Sequence, residues 1–149
     1  MNPEERTPEE TAGACAELMW AEDSASRGLG MELVAVGPGM AELAMAVRPD
    51  MVNGHGICHG GFIFALADSA FAFACNSYGQ RVVAAHCAVT FLAPARLGDR
   101  LSAKGVERQR FGRNGIYDIT VTKDDSTPIA EFRGHSRTVK GRFLAEGGA

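Results

Sequence analysis

The sequence predicts an α+β fold: a curved antiparallel sheet of about six strands wrapped around one central buried helix. Three observations carry this. First, Phe62 to Cys75 is made of Ala, Phe, Ile, Leu and Cys, with Asp68 and Ser69 as the two polar residues inside. Ala and Leu are strong helix formers, so this is a helix of about four turns. It is apolar on every side and therefore buried, and it is shorter than the roughly 20 apolar residues that span a bilayer. Second, the flanking segments alternate with the two-residue period of half-buried strands. Third, the connections between strands after the helix are short, which makes that part of the sheet antiparallel. A helix without a polar face needs a sheet on one side and a cover on the other. A partner subunit supplies that cover.

The elements follow in order. Residues 1–8 hold two prolines and are expected to fray, no further than residue 10. Thr7-Pro8-Glu9-Glu10 reads as an N-cap, a first-turn proline and acids at the positive helix end, opening a helix to about Ser26. Met31 to Val36 and Ala41 to Val47 form a hairpin across Gly37-Pro38-Gly39, with Leu43, Met45 and Val47 on one face. A Gly- and His-containing loop, Met51 to Cys58, leads into the buried helix, which Tyr78-Gly79 stops. Strands follow at Arg81 to Leu92, Leu101 to Glu107, Ile116 to Thr122 and Ile129 to Val139. Phe111 to Gly115 is a hairpin connection, Asp124 to Pro128 is a turn, and 140–149 is a polar tail. No linker or repeat interrupts the chain, which is expected to form a single domain over 1–149.

Composition narrows the function. Net charge is −3, which argues against a nucleic-acid binder. Residues 1–30 carry seven acids against two bases, leaving a mildly basic remainder that suits an anionic small ligand or a solvated surface. Cys15, Cys58, Cys75 and Cys87 show no paired spacing, as expected of free thiols in a cytoplasmic protein. No charged and apolar leader is present, and no apolar run is long enough to span a membrane.

The chemistry points to the buried helix and the loop before it. Asp68 is an acid in the middle of an apolar helix, where an ionised carboxylate is costly. It is either a structural or interface acid, or a base or nucleophile in a semi-dry site. Gly60-Gly61 places side-chain-free residues where the first helical N–H groups are unpaired, a terminus that accepts an anion or a developing oxyanion. It also reads as a tight corner. Asn53 is a candidate for holding a water or polarising a carbonyl, or else an Asn-Gly turn residue. His59 is a candidate acid or base, or a loop-orienting side chain. His55, Cys58 and His59 match no metal-ligand spacing, and a thiol nucleophile at Cys58 is disfavoured because adjacent residues rarely face each other. Gly54 to His59 lacks the third glycine and preceding strand of a dinucleotide fingerprint. Arg133, His135 and Arg137 share one strand face, and Arg113 sits in a hairpin loop. These suit phosphates or a solvated surface.

Gly60 and Asp68 are eight residues apart, about 12 Å along a helix. Both reach one reacting carbon most simply if Asp68 meets the Gly60 end of a second, antiparallel copy. The spacing thus suggests a two-fold dimer with sites shared between subunits.

Asn53-x6-Gly60, His59-Gly60-Gly61 and the helical Asp68 resemble the hotdog-fold acyl-CoA thioesterases, most of all the phenylacetic acid degradation (PaaI-type) family. Met51 to His55, Leu66-Ala67-Asp68, Phe71 to Ser77, Gly115 to Asp118 and Phe132 to Ser136 extend the likeness from about residue 15 to 141. The resemblance implies a six-stranded sheet around the helix, dimers pairing into homotetramers, and hydrolysis of aryl-acyl-CoA such as phenylacetyl-CoA or hydroxyphenylacetyl-CoA in aromatic catabolism, without a metal or other cofactor. CoA is then part of the substrate. It implies Asp68 as base or nucleophile, Gly60 N–H as carbonyl polariser, Asn53 as assistant and His59 as loop support. It also implies Gly61, Arg113, Arg133 and His135 near the substrate. Some relatives carry a water-positioning Ser on the next strand. Here Val82 to Cys87 has none, so His86 substitutes or the role is empty. A hotdog hydratase or dehydratase and a non-catalytic acyl-CoA binder are the alternatives.

Overall fold

A computed structural model of the chain describes residues 5–124 and 126–144. Helix α1 spans Pro8–Glu22, and Thr7 caps it by accepting the Glu10 N–H at 3.1 Å. The expected helix to about Ser26 breaks at Asp23. The Asp23 carboxylate accepts from both Ser26 N (2.9 Å) and Ser26 Oγ (2.7 Å), so it starts a new short helix, α2, over Ser24–Gly28. Ser26 Oγ also meets Ser69 Oγ at 2.7 Å, tying α2 to the central helix α3, Gly60–Cys75.

The strands are β1 (Glu32–Gly37), β2 (Met40–Ala46), β3 (Gln80–Phe91), β4 (Arg100–Phe111), β5 (Asn114–Lys123) and β6 (Thr127–Arg142). They form one six-stranded sheet in the order β1-β2-β4-β5-β6-β3, antiparallel at every pairing. β3 follows α3 in the chain yet lies at the far edge beside β6, and β2 pairs with β4 across the intervening helix. Such non-local pairings are set by tertiary packing and leave no mark on strand periodicity. β4 and β5 run further than expected, to a two-residue turn at Gly112-Arg113, because their ladder continues through Phe111↔Asn114. β6 continues into the expected polar tail, where Arg142 pairs with Gln80. Residues 145–149, 1–4 and Asp125 of the expected 124–128 turn lie outside the described residues.

α3 fills the concave side of the sheet. Leu66, Ala67, Ala70 and Phe71 are buried against Leu43, Ile119, Val121 and Phe132, among others. Gly134 makes this approach possible: a Cβ there would stand 2.7 Å from the Phe71 ring. The helix is not covered all round, however. Along one helical stripe Gly61 is exposed and Ala65, Asp68 and Ala72 are half-buried. β3 is a long edge strand with Val83 and Phe91 about half exposed, an unusual liability for an isolated sheet. Among the described residues no helix is long and apolar enough to cross a membrane.

Candidate active site

The loop before α3 is held at both ends. Val52 bridges Cys58 and Ile57 bridges Arg96, while Cys58 N–H donates to Ala95 O and His59 N–H to Met51 O, each at 2.8 Å. Inside the loop, Asn53 Oδ1 accepts from His55 N (2.9 Å) and Ile57 N (3.4 Å). Its carbonyl-type oxygen is therefore spent on the turn. Its amide NH2 has no acceptor among the described residues.

His59 is the N-cap of α3: its Nδ1 accepts the Gly61 N–H at 2.9 Å, and its carbonyl accepts the Phe62 N–H at 3.0 Å. That leaves the Gly60 N–H without an acceptor among the described residues. Helix starts carry partial positive charge, so this one free donor is also the most polarising. It opens on an apolar groove of about 610 Å³ lined by Asn53, Ile57, Gly60, Ile63, Phe91 and Leu92, among others. The Phe91 ring lies so close that a Cβ at Gly60 would stand 3.0 Å from it.

Asp68 sits two turns further along α3. It is half-buried and has no hydrogen-bond or ion-pair partner among the described residues. Burial pushes its carboxyl above the ordinary carboxylate value of 3.8. Its neighbours are thiols. Burial raises Cys87, and the Asp68 charge adds to this. Burial with the same charge helps push Cys75 up to about 12. Neither is a ready thiolate. Cys58 is also raised by burial, and its Sγ turns to the His59 carbonyl at 3.6 Å. With His59 Nδ1 committed to Gly61, Cys58 lacks the base a thiol nucleophile requires.

Asp68 does not line the Gly60 groove; the two residues lie about two turns apart on α3. His86 is not beside Asp68. A bulge between Ala84 and His86 turns it to the outer face of the sheet, where it pairs with His135 at 5.5 Å between ring centroids. Cys87 takes the inward position instead. The bulge hides this from the sequence, because it shifts the alternation by one residue.

Of the basic candidates, Arg133 is committed: Nε and Nη2 grip the Asp118 carboxylate at 2.7 and 2.9 Å. That pairing holds Asp118 below the usual carboxylate range, the hydrogen bond contributing most. Arg133 and His135 face away from α3, since their neighbours Phe132 and Gly134 face it. Arg113 is exposed at the β4–β5 turn, and its carbonyl accepts Thr138 N–H at 2.8 Å.

A buried helix gripped by a curled antiparallel sheet, with its bare N-terminus open on a groove, is the hotdog architecture, and an acid and an amide on that helix are the tools of acyl transfer. The Thioesterase superfamily signature matches residues 55–130. The chain is 39% identical over 131 residues to the acyl-coenzyme A thioesterase PaaI of Escherichia coli (strain K12), covering 88% of this chain and 94% of that protein. The structure of the E. coli PaaI protein from the phenylacetic acid degradation operon superposes with a TM-score of 0.90 and 38% identity, over 91% of this chain and 99% of that one. A mutant of the phenylacetic acid degradation protein PaaI from Thermus thermophilus gives 0.76 and 36%, over 78% and 100%. The chain belongs to the PaaI-type acyl-CoA thioesterase family of the thioesterase superfamily, and it is a thioester hydrolase.

Proposed function

We propose that the protein hydrolyses aryl-acyl-CoA thioesters, such as phenylacetyl-CoA or hydroxyphenylacetyl-CoA, to the free acid and CoA. The observation that carries this reading is the pairing on one helix of an unbonded Gly60 N–H, at the mouth of an apolar groove, with an unpartnered Asp68 carboxylate. The Gly60 N–H polarises the thioester carbonyl and holds the negative charge that grows on its oxygen. Asp68 takes a proton from the attacking water, or attacks the carbonyl itself to give an anhydride that water then opens. The C–S bond breaks, and the departing sulfur takes up a proton to leave as CoA. His59 fixes the loop and helix start, Gly61 keeps the entrance free of side chains, and the Asn53 amide assists the carbonyl or water. No metal or other cofactor is needed for these steps.

Two subunits build each site in this reading. Joined at the open β3 edges, two copies bring the exposed α3 stripe of one toward the groove of the other. Asp68 then serves the Gly60 end of its partner, and dimers pair into a tetramer in the cytoplasm. Apolar rings favour an aromatic acyl group: Phe62 and Phe64 flank the stripe, with Phe64 held against Phe132 at 5.3 Å. The phenylacetic acid degradation context named for the E. coli relative points the same way.

The test is free-thiol release from phenylacetyl-CoA, hydroxyphenylacetyl-CoA, benzoyl-CoA and a medium straight-chain acyl-CoA, with wild type and Asp68→Ala side by side. Aryl turnover that the variant loses supports the proposal. Release favouring the straight chain removes the aryl assignment. No release from a folded oligomer replaces it with a hydratase, read by double-bond absorbance, or with a binder.

A further inference from the structure

The two ends of α3 meet different surroundings. Gly60 opens one on the groove described above, and Cys75 closes the other. At the Cys75 end a second cavity lies against the inner face of the sheet, walled by Tyr78, Gln80, Arg110, Tyr117 and Ser136, among others. Residues of α3, β3, β4, β5 and β6 all contribute to it. It measures about 10 Å³, a size that holds one water and nothing larger.

Ser136 needs a partner there. The residue is 5% exposed, yet its hydroxyl has no hydrogen-bond partner among the described residues. A buried hydroxyl left alone costs free energy, so native cores keep such groups bonded to protein or to ordered water. Gly115, across from Ser136 on β5, makes the room. A Cβ at Gly115 would stand 2.6 Å from Ser136 Oγ and 2.9 Å from the Tyr117 ring. The hydroxyl thus stands over a bare glycine and beside the tyrosine.

Charge decides what the guest is. Tyr78 and Tyr117 both donate to Glu107 Oε1, at 2.9 and 3.1 Å, so each phenol keeps only acceptor capacity. Arg110 lies over the Tyr78 ring at 3.6 Å and stands 3.6 Å from the same Glu107 oxygen. One cation and one anion flank the cavity and offset each other. A bound ion of either sign would meet a like charge. What fits is a small neutral molecule that both donates and accepts, and at this size that is water.

The cavity also sits where the strand ladder is interrupted. β3 and β6 slip register between Gln80 and Val82, and again between Ala84 and His86. The Asn76 side chain replaces part of the lost pairing: it accepts the Val82 N–H at 2.8 Å and donates to the Val82 carbonyl at 3.0 Å. Gln80 and Val82 of β3 and Ser136 and Thr138 of β6 line the cavity beside this stretch. From these relationships we infer that the cavity binds a single water, held by the Ser136 hydroxyl, which bridges β6 to the bulged start of β3. Such a bridge is nearly as good as a direct hydrogen bond, and it makes the water a bonded part of the fold.

A crystal structure fine enough to show ordered water tests this directly. The expected result is one peak per chain at hydrogen-bond distance from Ser136 Oγ, ~2.5–3.0 Å, with further contacts to polar atoms of the cavity. No peak, a Ser136 hydroxyl bonded to protein instead, or a peak that refines as an ion overturns the inference. Hydrogen exchange on the intact protein then reads the bridge. Ser136→Val puts a methyl in the hydroxyl's place, and Ser136→Ala removes the hydroxyl without adding bulk. Backbone amides from Gln80 to Ala84 exchange about fivefold faster in either variant, one hydrogen bond's worth, while those of β1 and β2 keep wild-type rates. Unchanged exchange in both variants overturns the bridge, and so does faster exchange along the whole chain. Neither measurement involves a thioester, so the inference stands or falls apart from the hydrolase reading.

Discussion

His59 Nδ1 accepts the Gly61 N–H at 2.9 Å, and by doing so it leaves the neighbouring Gly60 N–H as the free donor at the groove. An imidazole accepting at Nδ1 carries its proton on Nε2, so the cap also fixes the tautomer. The residue thus works on the site by holding the helix start.

Removing the cap separates this role from proton transfer. His59→Ala costs about 1 kcal/mol of stability, whereas His59→Asn, itself a good N-cap, keeps most of it. Thermal unfolding of the two variants beside wild type reads the difference. Equal losses would mean that the imidazole contributes something other than a cap.

Gly60→Ala tests the entrance. The added Cβ meets the Phe91 ring at 3.0 Å, and that ring is 51% exposed and able to swing outward. The fold survives, and in the proposed mechanism the methyl stands where the carbonyl approaches its donor. Loss of a well-placed oxyanion donor costs ~10²–10³ in rate, and a partial block costs kcat/KM more than about tenfold by the same logic. Steady-state kinetics with a matched unfolding curve check this, and full activity would move the carbonyl away from Gly60.

Asp68 should be a destabilising residue at neutral pH. Burial raises its carboxyl above the ordinary value, so the folded chain holds that proton more tightly than the unfolded chain. The benefit of the neutral form is complete below the unfolded pKa and is lost as pH rises through the raised folded value. Asp68→Asn therefore melts higher than wild type at pH 7, with the gap shrinking toward the ordinary carboxylate range. A variant that melts lower at pH 7 would reveal a stabilising partner and undo the reading of Asp68 as a free acid.

Gly134→Ala probes the helix–sheet contact. Its Cβ would lie 2.7–2.8 Å from three Phe71 ring carbons, inside a closely packed core. Overpacking of this kind costs about 1–3 kcal/mol. A denaturant titration measures it, and an unchanged midpoint would show that Phe71 has room to retreat.

The sequence made α3 legible because its signal is local: Ala and Leu for the helix, a bare glycine pair at its start, a lone acid inside. Thr7 and Gly79 were legible for the same reason, and the structure shows Thr7 capping α1 and Gly79 at a φ of 94°. What stayed hidden depends on residues far apart in the chain. Arg133 looks like a free phosphate ligand until Asp118 is placed across the strand from it. His86 looks like a stand-in for a water-holding Ser until the bulge turns it outward. β3 looks like the next strand in line until β6 takes it to the sheet edge.

The most direct test of the account is complementation between inactive subunits. Asp68→Ala and Gly60→Val chains, each inactive alone, are co-expressed and assayed for thiol release. If Asp68 serves the Gly60 end of its partner, each mixed dimer regains one intact site. Random mixing then restores about a quarter of wild-type activity, because half the dimers are mixed and one site in two works. Activity at the level of the separate variants would place Asp68 and Gly60 in the same subunit's site and contradict the account.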